Sequence, residues 1–177
     1  DATELNVMNW VAETYDRLGR GFDTQENLTV TANRYYEEAA KAFGNIVDLP
    51  GISPELKVQV RIRQAQIKNR QRQFKAALDL YEQLLIESPV MLNVQVDAAM
   101  AYQQWAGMPN KEDLYERALG GARPDAKTKK NVIWGWRKIG DITSRHLDKF
   151  RDVFHESRYN QAVCRLKYAE AKQGAEQ

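Results

Sequence analysis

Phe74-Lys75-Ala76-Ala77-Leu78-Asp79-Leu80-Tyr81-Glu82-Gln83-Leu84-Leu85, followed by Pro89, is the stretch on which the fold turns. Small and large apolar residues follow one another here at helical spacing, with Ala77, Tyr81 and Leu84 on one face, as in a helix pressed closely against its neighbours. About 34 residues further on, Tyr115 and Ala118 repeat the positions of Tyr81 and Leu84, and Pro124 lies close to the counterpart of Pro89. A period of that length built from two helices marks an array whose hairpins bury one another's faces.

Outward from this stretch the apolar residues keep helical spacing in both directions, and no sustained period-two run rich in Val, Ile and Thr argues for a strand. Breaks fall at Gly19 and Gly21, at Leu49-Pro50-Gly51-Ile52-Ser53-Pro54, at Ser88-Pro89, at Gly107-Met108-Pro109-Asn110, at Gly120, Gly121 and Pro124, and more softly near Gly140. They predict about eight helices, near 3–18, 27–46, 54–71, 73–87, 91–106, 111–120, 124–140 and 146–172. Ser53-Pro54-Glu55 is a well-formed start: Ser caps free amides, Pro suits the first helical position and Glu opposes the helix dipole. Asn110 before Glu112 and Asp113 is a weaker one. Short loops between short helices predict antiparallel neighbours and successive helical hairpins.

The pattern resembles the tetratricopeptide repeat family. Ala77, Tyr81, Leu84 and Pro89 fit the family's second helix, while Ala98-Ala99 with Tyr102 fit the small pair and aromatic of its first. Val11-Ala12, Tyr15 and Gly19 fit that first-helix pattern again. Tyr36 and Ala39 fit a second helix after an insertion, Gly21 to Asn27, that departs from the family's length. Val132-Ile133 and Trp136 would begin a fourth repeat, with its glycine displaced. The resemblance implies an all-α fold, a right-handed superhelical stack of antiparallel helix pairs. It would form one domain over 1–177 with repeats near 3–50, 54–89, 91–124 and 125–172. Ser157 to Leu166 reads either as the first helix of a further repeat or as a capping helix.

Composition sets the class. Of the 177 residues 43% are apolar and 28% charged, as in folded chains and unlike disordered ones, and the formal net charge of +2 excludes little. No window approaches the roughly 18 apolar residues of a membrane span, so membrane insertion is not expected. Asp1-Ala2-Thr3-Glu4 lacks the basic and apolar segments of a signal peptide. Without an initiator Met the chain reads as an excised or processed fragment, so the missing leader leaves the compartment open, as does the single Cys164.

Residues for catalysis are sparse: His146, His155, one cysteine and no glycine-rich phosphate loop. His155-Glu156 lacks the second His that a zinc-protease helix carries one turn later, where Tyr159 stands. Cys164 shares an apolar stripe with Phe150, Phe154, Ala162, Leu166 and Ala169 and reads as a packing residue. Carboxylate pairs such as Glu37-Glu38 occur on many surface helices, and Asn27-Leu28-Thr29 reads as a helix cap rather than a glycosylation site. The expectation is a chain without enzymatic activity, cofactor or metal.

The family likeness instead implies a concave face lined by the first helix of each pair. Its positions map to Asn9, Glu13 and Asp16; to Ile62, Arg63, Gln66, Asn69 and Arg70; to Asn93, Val96, Asp97, Met100, Gln103 and Gln104; and to Lys127, Lys130, Asn131, Trp134, Arg137 and Lys138. Twelve of these are the candidate partner-binding set: Arg63, Gln66, Asn69, Arg70, Asn93, Asp97, Met100, Gln103, Lys130, Asn131, Trp134 and Arg137. Such an amide-rich face with basic groups at either side suits an extended or helical peptide carrying some acidic groups, and Trp134 and Met100 would be its apolar anchors. Capture of a chaperone's C-terminal carboxylate, a known use of the family, is disfavoured because Glu13 or Asp97 would stand where that carboxylate docks.

Two stretches are strongly basic: 55–75 holds seven Lys or Arg against one acid, and 123–151 holds nine against three. Nucleic-acid binding is still disfavoured, because most aromatics fall at core-like positions rather than where bases could stack. The sequence therefore points to a non-catalytic module that holds a peptide or protein segment. The alternative is a structural spacer or self-association segment of a larger repeat protein.

Overall fold

A computed structural model describes residues 2–24, 28–122 and 132–174. Among the described residues the regular structure is all helical: α1 Ala2–Phe22, α2 Val30–Val47, α3 Pro54–Arg70, α4 Phe74–Glu87, α5 Leu92–Ala106, α6 Leu114–Gly120, α7 Trp136–Thr143 and α8 Leu147–Gly174. Seven of these run eight residues or longer, and α6 is a short helix of 7 residues. The chain divides into two compact units, Asp1–Leu80 and Tyr81–Gln177, with the division inside α4.

In the first unit α2 packs against both α1 and α3. Two starts follow from capping chemistry. The Ala32 amide donates to Thr29 Oγ1 at 3.0 Å and the Leu56 amide to Ser53 Oγ at 3.2 Å, with Pro54 in the first turn. The helix expected at 27 therefore begins after Thr29, and Asn27 lies outside the described residues. α1 runs through Gly19 and on to Phe22, because a helical Gly19 lets the Tyr36 ring close in. A Cβ at Gly19 would stand 2.5 Å from Tyr36 Cε1. Tyr36, Phe43 and Ile46 join Ala12, Ala32, Ala39, Val60 and Ile67 in one cluster. Burying each large side chain there contributes roughly 1.5–3 kcal/mol. The turn after α3 uses Arg72 in the left-handed region, φ 59°, so no glycine marks it in the sequence.

In the second unit α5 packs on α6 and α7, and α8 packs on α6 and α7. Of the helix expected over 124–140, residues 124–131 lie outside the described residues, and α7 begins at Trp136. Residues 132–135 are not helical, because side-chain and backbone partners satisfy them otherwise: Gln95 Nε2 donates to the Val132 carbonyl at 3.0 Å, the Trp134 amide donates to Gln95 Oε1 at 2.7 Å, and the Ala122 amide donates to the Ile133 carbonyl at 3.2 Å. Gly135 passes so close to the Leu119 carbonyl and the Gly121 amide that no Cβ fits. Gly140, expected as a soft break, lies inside α7 and is buried. α6 starts at Leu114 rather than 111, after tight turns through Lys111, Glu112 and Asp113.

α8 buries a different face from the apolar stripe read in the sequence. Cys164 is buried as expected and Phe150 and Phe154 are half-buried, but Ala162, Leu166 and Ala169 are exposed, and Ser157, Asn160 and Gln161 are buried in their place. The reason is a set of partners that reward amides at these positions. Gln103 Oε1 accepts from Trp136 Nε1 at 2.8 Å and from Cys164 Sγ at 3.2 Å; Gln103 Nε2 donates to Asn160 Oδ1 at 2.9 Å; Gln161 Nε2 donates to the Trp136 carbonyl at 3.1 Å.

Candidate partner-binding surface

The first unit holds four of the twelve candidate residues, all on α3. Arg63 is exposed and bonds inward, to Glu13 at 3.4 Å and to Gln66 Oε1 at 3.3 Å. Arg70 pairs with Asp16, a carboxylate only 6% exposed that Arg20 also approaches at 3.4 Å. Gln66 and Asn69 are half-buried. The inner-face positions of α1 and α3 are thus brought together, and their charges largely neutralise one another. An exposed pair such as Arg63–Glu13 adds little stability, roughly 0.2–1 kcal/mol, so a partner could exchange it at small cost. A separate concavity of about 600 Å³, lined by Tyr15, Val30, Thr31, Arg34, Tyr35 and Glu38, lies outside the set read from the sequence.

The second unit holds Asn93, Asp97, Met100, Gln103, Trp134 and Arg137. α5 buries Val94, Gln95, Ala98, Ala99, Ala101 and Tyr102. At spacings of four, three and four residues on the opposite stripe stand Asn93, Asp97, Met100 and Gln104, the first and last exposed and the middle two half-buried. Gln103 faces elsewhere and is occupied by the amide network. Trp134 is 9% exposed, with Lys138 Nζ 4.6 Å from its ring centroid, so its ring serves as interior packing under a cation rather than as an open anchor. Arg137 is exposed at the start of α7. Lys130 and Asn131, like Lys127, lie outside the described residues.

Burial pushes the Cys164 thiol up to about 12, so it stays protonated at neutral pH. Partial burial, and then the charge of Asp97, raises the Glu156 carboxyl above its ordinary range. Asp97 of α5 and Glu156 of α8 are thus within electrostatic reach of one another although they stand 59 positions apart. In the first unit burial and the Asp23 carboxylate, which accepts from Tyr36 Oη at 3.2 Å, raise the Tyr36 phenol. His155 is exposed with its ring against Phe154, and among the described residues no group of three or more His, Cys, Asp or Glu is placed to hold a metal. No helix among the described residues is long and apolar enough to cross a membrane.

Sequence reading missed Gln95, Asn160 and Gln161, whose amides organise the second unit, and it missed Glu116, Arg165 and Tyr168, which line a cavity with Arg137. Heptad-like spacing of Arg151, Arg158 and Arg165 on α8 was the available signal for that basic stripe. No protein-family model, curated protein or solved structure matches the chain.

Proposed function

We propose that this chain is a non-catalytic protein-interaction module of tetratricopeptide-like helical hairpins, stacked so that the first helix of each pair faces a bound segment of a partner protein. The observation that carries the reading is the stripe Asn93, Asp97, Met100, Gln104 on α5, opposite a face that is buried along its length. Amides can pair with an extended backbone, and a half-buried Met supplies adaptable apolar contact. Of the residues that fit the repeat's small and aromatic positions, Ala12, Tyr36, Ala77, Tyr81, Ala98, Ala99, Ala118 and Trp136 are buried, which is in keeping with hairpins of that kind, while Val11, Tyr15 and Val132 are half-buried. The test is affinity capture from the source organism's lysate with the intact chain and with an Asn93→Ala, Met100→Ala, Gln104→Ala variant shown to be folded by circular dichroism. Loss of a captured protein with the variant supports the reading. Identical capture by both would reject α5 as the binding face.

A second reading, self-association or continuation of a longer array, is favoured by uncovered apolar side chains on α1 and α8. Trp10 and Val7 on α1 are 65% and 56% exposed, and Tyr159 and Leu166 on α8 are 69% and 58% exposed. A mass that rises with concentration in light scattering, and falls back with Tyr159→Ser, Leu166→Ser, would favour it over capture of a different protein.

A further inference from the structure

An open cleft of about 360 Å³ between α6, α7 and α8 is lined by Glu116 and Leu119 of α6, Arg137 of α7, and Arg165 and Tyr168 of α8. Its size is at the lower end of the range of about 300–1,000 Å³ typical of ligand-holding clefts. Leu119 is 5% exposed and forms an apolar floor, while the arginines and Glu116 are exposed at the mouth. Tyr168 Oη donates to Glu116 Oε1 at 3.2 Å, which ties the resident carboxylate to α8. Lys172 Nζ lies 5.2 Å from the centroid of the Tyr168 ring and pairs with Asp113 at 3.2 Å, which fastens the end of α8 to the turn before α6. Neither guanidinium forms an ion pair among the described residues.

The geometry points to this cavity as a receptor for an acidic side chain of a partner peptide, its carboxylate held between Arg137 and Arg165 and an adjacent apolar side chain resting on Leu119. The inference rests on the interaction-module reading and names the chemistry of the segment held. Planar guanidinium forks match a carboxylate through two parallel N–H donors, and two of them on different helices fix its position as well as its charge. Arg165 continues a stripe with Arg158 and Arg151 at intervals of seven residues, all exposed. These two lie roughly 10 and 21 Å along the helix from Arg165 and steer further acidic groups toward the cavity. A nucleic acid suits the site less well. The Tyr168 hydroxyl is committed to Glu116, and Lys172 occupies the ring face on which a base would stack.

The test uses the full chain and a fluorescein-labelled peptide of alternating Glu and Leu, with an alternating Gln and Leu peptide and oligouridylate as comparisons, read by fluorescence anisotropy. The Glu peptide should bind more tightly than the Gln peptide. Arg137→Gln with Arg165→Gln should weaken it about tenfold, the sum of two exposed charge-assisted contacts. Glu116→Gln should tighten it by about twofold by removing a like charge, a gain that a merely structural role for Glu116 does not give. Arg151→Gln, on the same stripe but off the cavity, should change it less than twofold. Failure of the Glu peptide to bind, an equal loss from Arg151→Gln and from the cavity pair, or displacement by oligouridylate at lower concentration than by unlabelled peptide would each overturn the proposal. A partner captured from lysate by the Arg137→Gln, Arg165→Gln variant as well as by the intact chain would sink the cavity assignment and leave the interaction reading standing.

Discussion

In the first unit Gly19 lets α1 close onto the ring of Tyr36, whereas in the second Gly140 lets α7 close onto Ser157 Oγ and Gln161 Nε2, each 2.9 Å from where a Cβ would stand. The backbone device is the same and the side-chain chemistry is opposite. Around Tyr36 the interior is aliphatic and aromatic, so its stability depends on volume. Around Gln161 the interior holds Gln95, Asn160 and Thr143 with the half-buried Gln103 bonded to Asn160, so its stability depends on every amide keeping its partner. Polar side chains that would read as surface in a sequence are interior in both units, Asp16 and Gln71 in the first and Gln95, Thr143, Ser157, Asn160 and Gln161 in the second, so the rule that separates core from surface fails more often in the second.

The largest expected effect follows from that contrast. Gly19→Ala drives a methyl into a ring that Ala39 and Phe43 hold within the core, and should cost about 3 kcal/mol in urea unfolding. Gln103→Leu should cost about 2 kcal/mol, since it strands the Trp136 indole N–H and the Asn160 amide. The cost should shrink when Trp136→Phe is already present, because the indole donor is then gone; equal losses in both backgrounds would show that the network is not coupled. Gly140→Ala should cost about 1 kcal/mol, because the atoms it meets are side-chain ends that can shift and alanine recovers about 1 kcal/mol of helix propensity. A loss from Gly140→Ala as large as that from Gly19→Ala would erase the distinction between the units.

The smallest effect concerns pH. The folded chain holds the proton on Glu156 more firmly than the unfolded chain does, because burial and Asp97 disfavour the charge. The cost is therefore present at neutral pH and is relieved as pH falls through the raised value toward the ordinary carboxylate range. Glu156→Gln should raise the Tm slightly at neutral pH and abolish that part of the acid-side gain; a lowered Tm at neutral pH would contradict the stated sign.

Much of the helical architecture was legible in the sequence, and the reasons are local. Ser53-Pro54 caps α3 by chemistry that needs no tertiary partner, and the spacing of Ala77, Tyr81 and Leu84 or of Tyr36 and Ala39 marks faces that are buried. The start of α7 was not legible, because it is set by Gln95, a residue 37 positions before Val132 that competes for the backbone of 132–134. The buried face of α8 was misread for the same reason: without knowing that Gln103 and the Trp136 indole await it, Asn160 and Gln161 look like solvent-facing residues. Of the candidate surface, Asn93, Asp97 and Met100 on α5 follow from the family's inner-face positions, whereas Gln103, from the same set, turns into the amide network. The pairing of Arg70 with Asp16 needed the fold, since the two lie 54 positions apart.

The central claim is that α5 presents its exposed stripe to a partner protein, and site-specific photocrosslinking tests it most directly. A benzophenone side chain placed at Asn93, and separately at the exposed Ile86 on α4, would be irradiated in lysate of the source organism and the adducts identified by mass spectrometry. The account predicts a defined heterologous adduct from Asn93 and none of the same mass from Ile86. The same adducts from both positions, or an adduct of the chain with itself alone, would contradict it.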